Sequence, residues 1–222
     1  MPGIYKMNFY IFMPESVDSV EKGKCFMRVI TGSARGRRLE TPNGDDVRPT
    51  ADAVKESVFS IIQFDIEGCV FLDAFAGSGQ MGIEAVSRGA EKAYFIDNSK
   101  KSLNMIKKNI EICGFEDKTQ VRASDTISFM AGTREKFDIV FLDPPYGTGL
   151  LQRAMELAPG ITKSSGYIIC EHPREEKLPQ SAGSFRLKKS YRYGKIMISI
   201  YAVPDEEQEV ILNVNSDLPG KL

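Results

Sequence analysis

The 222-residue chain has no tryptophan, one histidine and four well-separated cysteines. A single histidine, His172, excludes a multi-histidine metal site. It also makes a poor triad member, since Pro173 follows it and no G-x-S-x-G elbow is present. Cys25, Cys69, Cys113 and Cys170 leave no C-x-x-C pair for a metal or for redox chemistry. Cys69, Cys113 and Cys170 lie in apolar runs, as buried free thiols do, which implies a reducing, cytoplasmic setting. No apolar run approaches the roughly 18 residues of a membrane span. MNFYIFMP (7–14) is short and lacks a small-residue cleavage site, so it is not read as a secretory signal. An excess of one charge is missing too. Lys+Arg is 29 against 30 Asp+Glu, a net charge of −1, which at face value argues against a strongly basic nucleic-acid binder.

What is present suits a folded enzyme-sized chain: 42% hydrophobic and 27% charged residues, long enough to bury one sizeable core. Residues 1–26 lack clean periodicity and read as an extension, disordered or the product of an early start codon. From Met27, MRVITGSARGRRLET alternates around Gly32 and Gly36, which predicts a β-hairpin over about 28–41. Thr50 is placed to cap a helix from Ala51 to about Gln63, with Val54, Val58, Ile61 and Ile62 on its apolar face. Together these form an N-terminal unit, 27–64.

From Cys69 apolar strands alternate with helices: 69–74, 93–97, 119–123, 137–143 and 166–171, with helices to about Arg88, over 99–113, near 125–132 and near 149–158. Strands apolar on both faces, separated by helices, predict a doubly wound, mostly parallel α/β sheet over 65–203. FRLKKSYRYG and KIMISIYAV (185–203) join tightly at Gly194-Lys195, which predicts a C-terminal antiparallel hairpin and seven strands in all. The segment 204–222 reads as an acidic, disordered tail.

Asp73-Ala-Phe75-Ala-Gly77-Ser78-Gly79-Gln-Met-Gly82 follows the first central strand and opens a helix. Gly77-x-Gly79-x-x-Gly82 lets the backbone turn and approach a ligand at the positive end of that helix. Asp97 ends the next strand, where a carboxylate can accept both hydroxyls of a ribose. The two features predict a nucleoside-containing cofactor. Asp73 at the strand end would repel a pyrophosphate and attract an ammonium group. This favours S-adenosylmethionine over NAD, which stays the alternative. Asp125 either accepts from the adenine amine or caps the helix after it.

Asp143-Pro144-Pro145-Tyr146 ends the fourth central strand, at the carboxyl edge of the sheet beside the cofactor crevice. Each proline stiffens the residue before it and removes an N–H. What remains is a pair of acceptors, the Asp143 carboxylate and the Pro144 carbonyl. Held at fixed separation, they suit an NH₂ group whose lone pair must face an electrophile. Tyr146 can stack on the ring that bears it.

The tetrad resembles motif IV of class I S-adenosylmethionine-dependent amino-methyltransferases, (D/N)PP(Y/F), and DAFAGSGQMGIEA resembles their motif I. More specifically, RVITGSARGRRLETP, VRPTADAVKESVFSII and LDPPY make residues 27–203 similar to the bacterial 16S ribosomal RNA guanine-N2 methyltransferases of the RsmD type. Tyr146 stands where many members have Phe; both rings stack. The resemblance implies a class I methyltransferase fold with an antiparallel final strand. It implies methyl transfer to a guanine N2 in 16S RNA or the small subunit, without metal or membrane, by a chain favoured as a monomer. Catalysis would fall to Asp143, Pro144, Pro145 and Tyr146. The cofactor would meet Asp73, Phe75, Gly77, Ser78, Gly79, Asp97, Asn98 and Asp125, with Thr50 in a lid. Adenine-N6 or protein-amide methylation, a nicotinamide oxidoreductase and a non-catalytic RNA-binding module are the alternatives.

Two basic clusters suit an RNA backbone: Arg28, Arg35, Arg37 and Arg38, with Arg48 further on, and Lys188, Lys189 and Arg192 beside Tyr191. His172 is read as structural. Net charge conceals this segregation. The tail from Asp205 holds five acids and one lysine, and residues 1–26 hold three of each sign, so 27–204 carries a net +3 against −1 for the whole chain.

Overall fold

The apolar runs become strands because each offers side chains to two layers at once. In the computed structural model, which describes residues 27–41 and 49–204, the order is α1 (Pro49–Ile61), β1 (Val70–Asp73), α2 (Gln80–Ser87), β2 (Lys92–Asp97), α3 (Lys100–Cys113), β3 (Thr119–Ala123), α4 (Thr126–Gly132), β4 (Phe137–Leu142), α5 (Leu150–Ile161), β5 (Thr162–Pro173), β6 (Ser181–Ala182), β7 (Phe185–Tyr193) and β8 (Ile196–Ala202). Phe71, Phe95, Ile139 and Phe141 face α1, α2 and α3, while Leu72, Ile96, Val140 and Leu142 face α4 and α5. The strands run in the order β3-β2-β1-β4-β5-β8-β7-β6. β1 to β5 are parallel, and β8 lies antiparallel to β5 and β7. The chain order reverses between β1 and β4, which opens a ligand crevice at their carboxyl ends.

The sheet has eight strands where seven were expected. The eighth, β6, is two residues pairing with Phe185 and Arg186 at the outer edge, too short to leave a periodic signal. α1 begins at Pro49, so Thr50 lies inside it instead of capping it. Proline's fixed φ and missing N–H suit a first helical turn, where no partner is needed. Arg48, residues 1–26 and the tail from Asp205 lie outside the described residues.

The hairpin expected over 28–41 is present in short form: around the bridge Arg28 to Arg38, Leu39 N donates to Met27 O at 2.8 Å, Val29 N to Arg37 O at 3.0 Å and Gly36 N to Val29 O at 2.8 Å. Other backbone donors turn to α2 instead. Ile30 N and Thr31 N donate to the Glu84 carboxylate at 2.8 and 2.9 Å, and Ala34 N to Ser87 Oγ at 3.0 Å. Gly32 makes this approach possible: its φ is +88°, and a Cβ there would stand 1.7 Å from Ser87 O. The N-terminal segment is therefore part of the domain, laid on the helix that follows the glycine loop.

Candidate functional site

Asp73 ends β1, and Ala76 N donates to Ile96 O at 3.0 Å, which turns the glycine loop toward β2. Gly77 and Gly79 both take left-handed backbone angles, and Gly79 precedes α2 directly. Gly82 allows α2 to sit on β2: a Cβ there would lie 2.4 Å from the buried Phe95 ring. Asp97 locks the loop, accepting from Gly77 N at 2.9 Å and from Ser99 N at 2.8 Å.

A cavity of about 680 Å³ opens above this loop. Its walls include Phe75, Gly77, Asp97, Asn98, Asp125, Asp143, Pro144, Pro145 and Tyr146 from the predicted set, together with Ile96, Leu150 and Glu171. Asp125 also caps α4, accepting from Ser128 N at 2.9 Å, and this bond holds its carboxyl below the usual range. Both sequence-derived roles therefore remain available to it. Asp73, Ser78 and Gly79 are not among the lining residues, and the side chain of Thr50 lies outside the described residues. Ser78 Oγ faces Met27 Sδ at 3.6 Å, and Ser78 O accepts from Asn109 Nδ2 at 2.9 Å.

Asp73 lies behind the loop, 2% exposed, accepting from Gly82 N at 3.1 Å. Burial pushes its carboxyl up to about 7; the Gly82 N–H pulls it down and the Asp97 charge adds to the rise. A raised carboxyl makes the folded state the better proton binder. Its stabilising contribution is complete below the unfolded value near 4 and is lost as pH rises through about 7. Asp73→Asn keeps an acceptor for Gly82 and removes the charge. The ligand-free variant should melt about 5 °C above wild type at pH 8 and close to it at pH 5. Thermal melts at the two pH values check this, and a pH-independent difference would refute it.

A second cavity, about 640 Å³, shares Asp143, Tyr146 and Glu171 with the first. Its other walls include Val54, Lys55, Gln80, Met81 and the β7–β8 turn at Tyr193, Gly194 and Lys195. The Tyr146 hydroxyl donates to Glu171 Oε1 at 3.1 Å, and its ring is half exposed. Burial, then the charges of Glu171 and Asp73, hold Asp143 well above the usual carboxylate range. Burial likewise raises Glu171, against the pull of the Tyr146 bond. Among the described residues no base forms an ion pair with Asp73, Asp143 or Glu171. Lys55 is 1% exposed; burial lowers its pKa, opposed chiefly by Glu84 and Asp52. It donates to Arg28 O at 2.7 Å, which ties α1 to the N-terminal basic segment.

The model of a family described as conserved hypothetical protein 95 matches residues 27–202. "Putative rRNA methyltransferase YlbH" of Bacillus subtilis is 38% identical over 180 residues, covering 79% of this chain and 98% of its own. Ribosomal RNA small subunit methyltransferase D of Escherichia coli is 32% identical over 177 residues, 79% of this chain and 89% of that one. The chain belongs to the ribosomal RNA small subunit methyltransferase D family. A solved structure described as "Putative methyltransferase yhhF from Escherichia coli" is 30% identical and covers 82% of this chain and 99% of its own, with a TM-score of 0.71.

For a member of this family the basic residues sit where a long polyanion can reach them. Arg28, Arg35, Arg37 and Arg38 are exposed, as are Lys188, Lys189 and Arg192. Arg37 also donates to Ile112 O at 2.6 Å. Tyr191 is half-buried against the core with Lys189 Nζ 5.0 Å from its ring centre, so only part of its face is free to stack. His172 is buried and lines neither cavity; Nε2 pairs with Ser199 Oγ at 2.9 Å and Nδ1 with Pro173 O at 3.0 Å. Sequence reasoning missed Glu171, Lys55 and Asn109. Only Lys55 carried a local signal, as part of the RPTADAVKE block. Among the described residues no helix is long and apolar enough to cross a membrane, and no cluster of three or more His, Cys, Asp or Glu could hold a metal ion.

Proposed function

We infer that this chain transfers the methyl group of S-adenosyl-L-methionine to the N2 amine of a guanine in 16S ribosomal RNA. One observation carries the reading: two cavities of similar size meet at the Asp143-Pro144-Pro145-Tyr146 turn. One suits a nucleoside cofactor and the other a planar base, with an amine-holding group at their junction. The cofactor supplies an electrophilic methyl on a positively charged sulfur. Asp73, Asp143 and Glu171, carboxylates without a paired base among the described residues, fit that positive charge. Asp97 keeps acceptor capacity beyond its two backbone bonds and would take the ribose hydroxyls. Asn98 and Asp125 would meet the adenine, and Phe75 would pack beside it. Asp73 acts through the loop it holds and through its charge.

In the second cavity a base flipped from the RNA would lie on Tyr146. Asp143 and the Pro144 carbonyl would accept its two amine hydrogens, which turns the nitrogen lone pair toward the first cavity. The arrangement is set before the RNA arrives, so little reorganisation is left for the reaction itself. The second cavity touches neighbours of both basic clusters: Lys55 on its wall donates to Arg28 O, and Lys195, three residues after Arg192, stands at its rim. An RNA backbone tracking both would deliver a base between them. The substrate places the reaction in the cytoplasm, in keeping with buried free thiols at Cys69, Cys113 and Cys170. Small-subunit particles from a strain lacking this protein, incubated with it and tritiated cofactor, should yield N2-methylguanosine in 16S RNA. Label in N6-methyladenosine or in protein would overturn the reading.

A further inference from the structure

Glu171 is a second carboxylate set beside the amine-holding one, and nothing in the tetrad explains it. β4 and β5 are parallel neighbours with Leu142 paired to Cys170. One residue further on, Asp143 and Glu171 stand side by side at the carboxyl edge, on strands about 4.8 Å apart. Both line both cavities. Two adjacent carboxylates with no ion pair among the described residues repel each other, a costly arrangement unless a ligand brings donors. Tyr146 supplies one donor, to Oε1 of Glu171. Oε2 has no donor among the described residues.

We propose that Glu171 selects the base, accepting the ring N1–H of guanine while Asp143 holds the neighbouring N2 amine. The inference rests on the second cavity being the site of the methylated base, as proposed above. Guanine alone among the four RNA bases presents an amine next to a ring N–H. In adenine and cytosine the ring nitrogen beside the amine carries a lone pair, which a carboxylate oxygen repels; uracil has the ring N–H and no amine. The Asp143–Glu171 pair thus matches one base and opposes the others at the same edge. Tyr146 tethers Glu171, so the oxygen facing the base is fixed in place.

2-Aminopurine keeps the 2-amine and replaces N1–H by a lone pair; it also lacks O6, so the comparison of wild type with Glu171→Gln assigns the effect to this contact. Particles reconstituted with 16S RNA carrying either guanine or 2-aminopurine at the mapped nucleotide are the substrates. Wild type should prefer guanine in kcat/KM by about 100-fold or more, as sites built to bond a donor reject analogues that lack it. Glu171→Gln keeps an oxygen for Tyr146 and offers N–H to the lone pair, so the preference should fall at least tenfold or so. Tyr146→Phe removes the tether and leaves the carboxylate, and should keep more of the preference for guanine than Glu171→Gln does. A wild-type ratio near one, or equal ratios in wild type and Glu171→Gln, would overturn the proposal, the first without any variant. Failure of wild type to methylate the unmodified guanine particles would instead overturn the functional reading itself.

Discussion

Asp143→Ala should lower kcat for methyl transfer by about 10³-fold while binding of S-adenosylhomocysteine stays within about threefold of wild type. The demethylated cofactor is the right probe because its sulfur is uncharged, so losing one carboxylate at the junction changes its affinity little. Asp143 borders both cavities and is the only side-chain acceptor in the tetrad apart from the Tyr146 hydroxyl, which is already donating to Glu171. Without it the amine would meet the Pro144 carbonyl alone and its lone pair would no longer be aimed. Charge matters as well as shape. An ionised Asp143 accepts both as anion and as fixed dipole, and its carboxyl is raised by burial and by Glu171 and Asp73. Activity should therefore rise with pH through that raised value. Asp143→Asn should lose this acidic limb of the pH profile and keep part of the rate, since the amide oxygen still accepts. A kcat for Asp143→Ala within about tenfold of wild type would reduce the tetrad to a turn that ends a strand.

How far this site could be read in advance follows from the range of the interactions that build it. The glycine loop and the Asp-Pro-Pro-Tyr turn were legible because backbone restrictions act within a few residues. Gly77 and Gly79 need left-handed angles, and each proline constrains its predecessor. Asp97 was legible because it ends a strand in a recognisable alternation. Glu171 was not: it meets Tyr146 across 25 residues, and only the β4–β5 register brings it beside Asp143. Asn109, from the middle of α3, ties Ser78 O to Glu40, contacts 31 and 69 residues away in sequence. The alternation of residues 28–41 showed the short hairpin, with Val29, Ala34 and Leu39 buried, but not where it docks. Its docking rests on Glu84, which accepts from Ile30 N and Thr31 N and looks like an ordinary helix residue in the sequence.

Glu84→Ala should destabilise the protein by about 3–5 kcal/mol, the cost of removing one member of a buried ion pair. Glu84 is completely buried and its carboxylate has three donors: Ile30 N, Thr31 N and Arg88 Nε, the last at 2.7 Å. Alanine would leave two part-buried backbone N–H groups without that acceptor and would strip Arg88 of its partner. Arg88 would still lie over the Phe59 ring, 4.8 Å from its centre, which limits its freedom to reach water. The loss should be uneven. Segment 27–41 is held to α2 by Glu84 and Ser87 and to α1 by Lys55, whereas β1 to β5 pair among themselves. Amide exchange at Gly36 and Leu39, which donate within the segment to Val29 O and Met27 O, should accelerate well before exchange in β1 and β4. Because the same segment carries Arg28, Arg35, Arg37 and Arg38, its release should raise KM for the ribosomal particle more than it lowers kcat. Glu84→Gln, which keeps one acceptor, should fall between alanine and wild type in both measurements. Uniform acceleration of exchange across the sheet would mean that Glu84 supports the core as a whole, and the basic segment would then lose its standing as a separately anchored arm.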